Sequence, residues 1–401
     1  MTTATSKPSI LWFQLIGLSL VQGAISLTWL LYRLYLPQLL ASLGFPGLFS
    51  TIIIIENALG VIIEPIAGNF SDRQRRWLGT RFPLISLGVI LSSALFIAIP
   101  AFYIFGQSLN SLHWIFPIIL ILWAVAMAIF RSPVTALLGQ YAGEKKLPQA
   151  MSFLVFMGGI VGAIRPISSQ FILSFGSGVT FTIGSLVLLG SVGVLRYFNP
   201  DLSVISQSEE PTQKLYFRNL VFIAILGLFA ALGTRSILGE IFPQVIKNYG
   251  GNPQLIMFSG LVLLAFASIP AGLFAVKISN HKATLIGLVT TAILLLFLSF
   301  ITNKILIILV GLLLIASYSL VANGIVPIAF SLVPSHQGGL GMGVYFGAFS
   351  LAMSGYELIV KYLGTLNLII SYRLGIIAFL IIAFLVLFLP QLTSSKMANG
   401  T

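Results

Sequence analysis

Glu56 and Glu64 stand in an apolar stretch of this chain, where ionised groups are expensive and usually mark an ion or solute path. Eight residues apart, they are separated by roughly 12 Å along a helix and about 80° around it, so both can face one cavity. A carboxylate in a low-dielectric wall has its ionisation disfavoured, which suits it to loading and releasing a proton. Glu64 is therefore the first candidate for cation coupling and Glu56 the second, with plain pairing to a nearby arginine as the alternative for each. Glu357 is a third candidate, although a mutual ion pair with Lys361, four residues on, is its simplest account. Arg131, Arg165 and Arg235 offer rigid donors suited to sugar hydroxyls, carboxylates or phosphates. Arg33 is expected to snorkel toward the membrane interface, and the same reading is open for Arg131. Gln22, Trp29 and Asn323 could supply hydroxyl partners and an apolar face for a solute ring. Gln14 and Tyr32 read more simply as helix-contact and interfacial-belt residues.

Composition says where these groups must sit. The chain has 401 residues, 58% hydrophobic and only 7% charged, a balance that belongs to an integral membrane protein. It contains no cysteine, so disulfides, thiolate metal sites and cysteine nucleophiles are excluded. His113, His281 and His336 fall near span ends, so neither a histidine metal cluster nor a Ser-His dyad is visible, and no His-Glu-x-x-His motif occurs. An enzyme is not expected, nor is a cofactor. The net charge of +12 lacks an interleaved basic and aromatic surface, so nucleic acid is not an expected partner. The expected partners are a small polar solute, a proton or sodium ion, and membrane lipid, with the chain acting as a monomer.

About 20 apolar residues cross a bilayer. Twelve such spans fit, at roughly 10–37, 49–70, 82–106, 114–138, 149–174, 178–197, 218–246, 254–276, 283–302, 305–332, 340–363 and 368–390. The first is longer than the apolar core of a signal peptide and reads as a retained span, with cleavage near Gly23-Ala24 as the alternative. The longest polar segment, Asn199 to Gln213, lies near the midpoint and reads as a linker. It divides an N-terminal six-helix bundle (1–198) from a C-terminal one (218–401) through residues 199–217. Thirteen of the 21 Lys and Arg residues, Arg73, Arg75, Arg76 and Arg81 among them, fall on one side of these spans. Only Lys247, Lys304, Lys361 and Arg373 fall on the other, which places both termini in the cytoplasm, at an inner or plasma membrane.

The halves echo each other in parallel. Leu36-Pro37-Gln38-Leu39-Leu40 is matched by Phe242-Pro243-Gln244-Val245-Ile246 at an offset of 206, and Ala67-Gly68-Asn69-Phe70 by Ala271-Gly272-Leu273-Phe274 at 204. The order and spacing of the two matches argue for duplication. Two parallel six-span repeats are the architecture of the major facilitator superfamily, whose site lies between the halves near the midplane. The expected fold is therefore all-α, with twelve transmembrane helices in two six-helix pseudo-repeats.

Residue motifs carry the same likeness. Gly68-x-x-x-Asp72-Arg73, followed by Arg75, Arg76 and Arg81, resembles the major facilitator loop between spans two and three. Glu64-Pro65-Ile66-x-Gly68, Ser71-Asp72-Arg73-x-Arg75 and Gly79-x-Arg81-x-Pro83 resemble the glycoside-pentoside-hexuronide:cation symporters and the related sucrose-transporter-like branch. Arg131-Ser132-Pro133 and Gly158-Gly159-Ile160 are similar to spans four and five of that branch. The resemblance covers most of the N-terminal half and implies that Glu64 occupies a cation-site position. It implies a cytoplasmic gate at Gly68, Asp72, Arg73 and Arg81. Glu240, near the outer end of span seven, reads from its position as a gate partner or a site residue. Gln140 and Val276 stand where relatives carry acids, so inner gating on the C-terminal side is expected to use fewer ion pairs. Gly339, Gly341 and Gly343 are expected to let helices approach closely. The function expected is secondary active transport, a proton-coupled symport of a sugar or glycoside by alternating access. The alternative is an exporter or a carrier of lipid-like solutes on the same scaffold.

Overall fold

A computed structural model describes residues 10–106, 113–199, 215–249 and 252–398. Met1 to Ser9, and residues 200–214 of the expected linker, lie outside the described residues. Twelve helices among the described residues are long and apolar enough to cross a membrane. The first six are α1 (Trp12–Ser42), α2 (Phe49–Leu78), α3 (Phe82–Gly106), α4 (Ile115–Ala136, prolonged by Leu138–Tyr141), α5 (Leu147–Ser174) and α6 (Gly176–Tyr197). Next comes α7, whose α-helical part Phe217–Thr234 continues through a π-helical segment, Arg235–Ile241, into Phe242–Tyr249. The rest are α8 (Pro253–Ile278), α9 (Asn280–Leu298), α10 (Lys304–Ser331), α11 (Gly338–Leu363) and α12 (Leu368–Ala398). The only β pairing among the described residues is an isolated bridge between Ile10 and Ala142.

Some helices run past the expected spans, α1 to Ser42 and α2 to Leu78, and α2 does so with consequence. Ser71 to Leu78, read above as a loop, continues α2 because nothing in that stretch breaks a helix. Gly79 then adopts φ 72°, the left-handed conformation that ends helices, and turns the chain so that Arg81 folds back on α2.

Buried apolar side chains gather in two clusters, one within Ile10–Leu195 and one within Ile223–Val386. In the first, Trp123 is fully buried, with ring centroids 4.8 Å from Trp29, 4.3 Å from Tyr32 and 5.1 Å from Phe96. Between the clusters run helix crossings made close by small residues. On α11, Gly339, Gly343 and Gly347 fall one turn apart and meet α2. A Cβ at Gly68 would overlap the Gly339 carbonyl, and one at Gly343 would lie 2.7 Å from Pro65 Cα. Gly341 faces Val333 instead. The α5–α8 crossing uses Gly272, where a Cβ would fall 2.8 Å from Ser152 Cβ. Gly68 and Gly272, matched at an offset of 204, thus each hold one crossing between the clusters. At the second, Ser268 Oγ donates to Ser152 O at 3.0 Å, and no ion pair occurs there among the described residues.

Candidate functional site

Glu64 sits on the face of α2 that meets α4, fully buried, and Arg131 Nε approaches its Oε1 to 2.7 Å. The next residue of α4 fixes the same contact, because Ser132 Oγ donates to the Glu64 carbonyl at 3.1 Å. Arg131 also reaches α11: its Nη2 is 3.5 Å from Ser350 Oγ and its guanidinium lies 4.5 Å over the Phe346 ring. Two turns up α2, buried Glu56 accepts from the Tyr32 hydroxyl and pairs with Arg33 at 3.0 Å. A cavity of ≈ 30 Å³ joins the two carboxylates, lined by Trp29, Glu56, Glu64, Met127, Arg131 and Ser350. That is space for about two water molecules, enough to relay a proton between the acids and too little for a sugar.

A second constellation closes the Asp72 end. Asp72 is buried and pairs with Arg81 at 2.6 Å, while Arg81 Nη1 donates to Ser71 Oγ at 3.0 Å. The amide N–H groups of Gly339 and Leu340 donate to Asp72 at 2.9 and 2.7 Å. These are first-turn donors of α11, which has no side-chain cap of its own. An acid on α2 therefore caps a helix some 270 residues away, where the helix dipole also favours negative charge. Arg75 Nη1 donates to the Ser335 carbonyl at 3.2 Å across the same seam.

A third lies on α7. The wide turn of a π helix stacks residues five apart, and Arg235 pairs with Glu240 at 3.1 Å. Gln244 donates to the same carboxylate at 3.3 Å, and the Arg235 guanidinium rests 4.7 Å over the Tyr356 ring of α11.

Several expectations need correction. Arg33 does not snorkel, because a buried carboxylate on α2 offers it a stronger partner than the interface. Tyr32 is a buried donor to Glu56 rather than an interfacial-belt residue. Asn323 is fully buried in the packing of α10 on α8, donating to Ser268 O at 2.6 Å, so it fastens helices instead of facing the cavity. Glu357 takes no ion pair among the described residues, since Lys361 reaches across to Thr51 Oγ1 at 2.9 Å. Arg73 points outward and is exposed, while Asp72, Arg75 and Arg81 make the contacts. Gln22 is half-buried on α1 and lies outside the lining of the cavity. Arg165 on α5 is exposed and without an ion-pair partner among the described residues. Ser350, Phe346 and the α11 amides are participants that no sequence signal marked.

Residues 18–356 match the model of the Major Facilitator Superfamily. The chain belongs to that superfamily. No curated protein matches the sequence. Among solved structures, the major facilitator fold seen here is similar to a bacterial homologue of the iron transporter ferroportin in its outward-facing state. The TM-score is 0.71 at 13% identity, with 94% of this chain and 98% of that chain covered. It is also similar to the human organic anion transporter MFSD10, with TM-score 0.67, 14% identity and coverage of 95% and 100%. The E. coli fucose:proton symporter gives TM-score 0.63, 13% identity and coverage of 93% and 98%. At these identities the likeness is one of fold.

In this major facilitator chain, Asp72→Asn removes the charge from one buried ion pair and weakens two helix-capping bonds. Breaking a buried pair by removing one partner costs roughly 3–5 kcal/mol; the Arg81 share is lost whether or not α2 and α11 meet, while the weakened Gly339 and Leu340 bonds count only against the arrangement in which they do. A cysteine introduced at Gln337 in this cysteine-free chain is expected to react faster with a soluble thiol reagent when Asp72→Asn is added. An unchanged rate would show that the seam does not depend on the cap.

Proposed function

We propose that this chain is a proton-coupled secondary active transporter that works by alternating access, with Glu64 as the proton-binding group. The observation that carries the reading is the position of Arg131, held by Glu64 on one side and in contact with Ser350 and Phe346 of α11 on the other. Protonating Glu64 cancels one charge of that pair and leaves Arg131 to find its partners on α11 or in a bound solute. The charge state of one buried acid thereby biases how α2 and α4 meet α11, which is the coupling that symport or antiport requires. Glu56, Tyr32 and Arg33 lie on the other side of the shared cavity and form the second step of a proton path.

The solute suggested by the sequence resemblance is a sugar or glycoside, and Trp29, which lines the cavity with buried Tyr32 and Trp123 packed behind it, supplies a ring face for one. With both termini cytoplasmic, as the Lys and Arg bias indicates, the Asp72 seam is the cytoplasmic gate, and two six-helix halves rock about it. Reconstitution into vesicles with an imposed pH gradient and a panel of labelled sugars tests this. At one proton per solute, each unit of gradient supports about ten-fold accumulation, saturable and collapsed by a protonophore. Equal uptake with and without the gradient, or accumulation driven by sodium alone, would overturn the assignment of Glu64 as a proton site.

A further inference from the structure

We infer that the transported solute carries an anionic group, a carboxylate or a phosphate, received by Arg165 together with Arg33 and Arg235. The inference deepens the transporter reading above and rests on it. Arg33 on α1 is held by Glu56 of α2 and Arg235 on α7 rests over Tyr356 of α11, and those two helices are joined two residues away, where Ser354 Oγ donates to the Ile54 carbonyl at 3.1 Å. On α5, which packs on α1 where the Tyr35 hydroxyl donates to the Ile172 carbonyl at 2.7 Å, Arg165 lies within electrostatic reach of both. Each lies past the midpoint of its helix counted from the Asp72 end, on the opposite side of the Glu64 pocket from the seam. Because α1 and α5 contribute to one buried cluster and α7 to the other, the three charges straddle the boundary between the clusters.

The charges there do not balance. Arg33 is answered by Glu56 and Arg235 by Glu240, but Arg165 has no acid, and no other ion pair occurs nearby among the described residues. Two of the three guanidinium groups also keep unused buried donors, Nη1 of Arg33 and Nε of Arg235. All three side chains retain exposed surface, so other parts of each guanidinium side chain border space that a solute can enter. Like charges gathered on one side of the molecule raise one another's energy, and an anion lowers all three at once. A planar guanidinium matches a carboxylate or phosphate through paired N–H donors, which a neutral hydroxyl cannot exploit to the same degree. The cluster also adjoins the proton site, since Trp29 lines the Glu64 cavity and carries the Arg33 guanidinium 5.4 Å over its ring. A proton taken up at Glu64 would then accompany a negative charge, and their joint movement adds less net charge to the membrane interior than either alone.

The test compares thermal stabilisation of the purified full chain by glucose, gluconate, glucose 6-phosphate, succinate and inorganic phosphate, with no gradient imposed. At least one anion is expected to raise the midpoint saturably while glucose does not. Arg165→Gln is expected to weaken that anion's apparent affinity by about ten- to a hundred-fold, and Arg165→Lys to restore part of it. Size-exclusion elution matching the wild type separates loss of binding from loss of fold. Stabilisation by glucose alone, no response to any anion, or an anion response that persists in Arg165→Gln would overturn the inference. Because binding is read without a gradient, these outcomes are distinct from failure of proton coupling. An anion that binds but does not accumulate on a pH gradient would sink the coupling and leave the charge assignment standing.

Discussion

Gly68→Leu is expected to abolish transport while Gly193→Leu leaves it intact. At Gly193, which is exposed, an added Cβ meets nothing within 4 Å, whereas at Gly68 the first added carbon overlaps the carbonyl of Gly339 on the facing helix. No rotamer relieves that overlap, because the clash is with backbone and begins at Cβ. The helices must instead separate, which breaks the Gly339 and Leu340 bonds to Asp72 and draws Gly343 away from Glu64 and Pro65. Overpacking costs of roughly 1–3 kcal/mol per site fall on the closed seam alone, and the lost caps add to them. Uptake into vesicles is expected to fall to background, and a cysteine placed at Ser335 to label faster than in the parent. Wild-type uptake by Gly68→Leu would mean that α2 and α11 need not meet closely during the cycle.

Glu64→Gln is expected to remove gradient-driven accumulation, with at least a ten-fold loss, while exchange of solute across the membrane is partly retained. The amide keeps the shape and can still accept from Arg131, but it cannot gain or lose a proton. Arg131 then holds a positive charge with no carboxylate beside it, at a cost of roughly 1–3 kcal/mol for the weakened charged hydrogen bond. Glu64→Asp is expected to fall between Gln and the parent, because it keeps a titratable group but shortens the reach to Arg131. Undiminished accumulation by Glu64→Gln would remove this residue from the mechanism and leave Glu56 as the next acid to test.

The twelve helices were legible because lipid leaves a long one-dimensional signal: each span must satisfy its own backbone and so reads as an apolar run. The candidate acids and arginines were legible for the same reason, since any charge in such a run stands out. Their partners were not. Arg33 meets Glu56 because of how far α1 turns against α2, a rotation that no spacing within α1 encodes. Glu357 and Lys361 have helical spacing, yet Lys361 finds Thr51 on a neighbouring helix closer to hand. The Asp72 motif pointed to a gate, but its main partners are backbone amides of α11, and amides carry no sequence signature. Asn323 shows the converse error: a polar residue in an apolar span looked like a solute contact and is a fastening between helices.

The widened turn at Arg235–Ile241 gives α7 one residue more than a regular helix of the same rise would hold. Returning that residue to regular winding would swivel everything beyond it, Phe242 to Tyr249, by about 100° and pull Glu240 off the guanidinium it now neutralises. The Phe242–Tyr249 end of α7 is therefore threaded like a screw with a charge as its detent, in which a change of pitch and a change of electrostatic partner are one event.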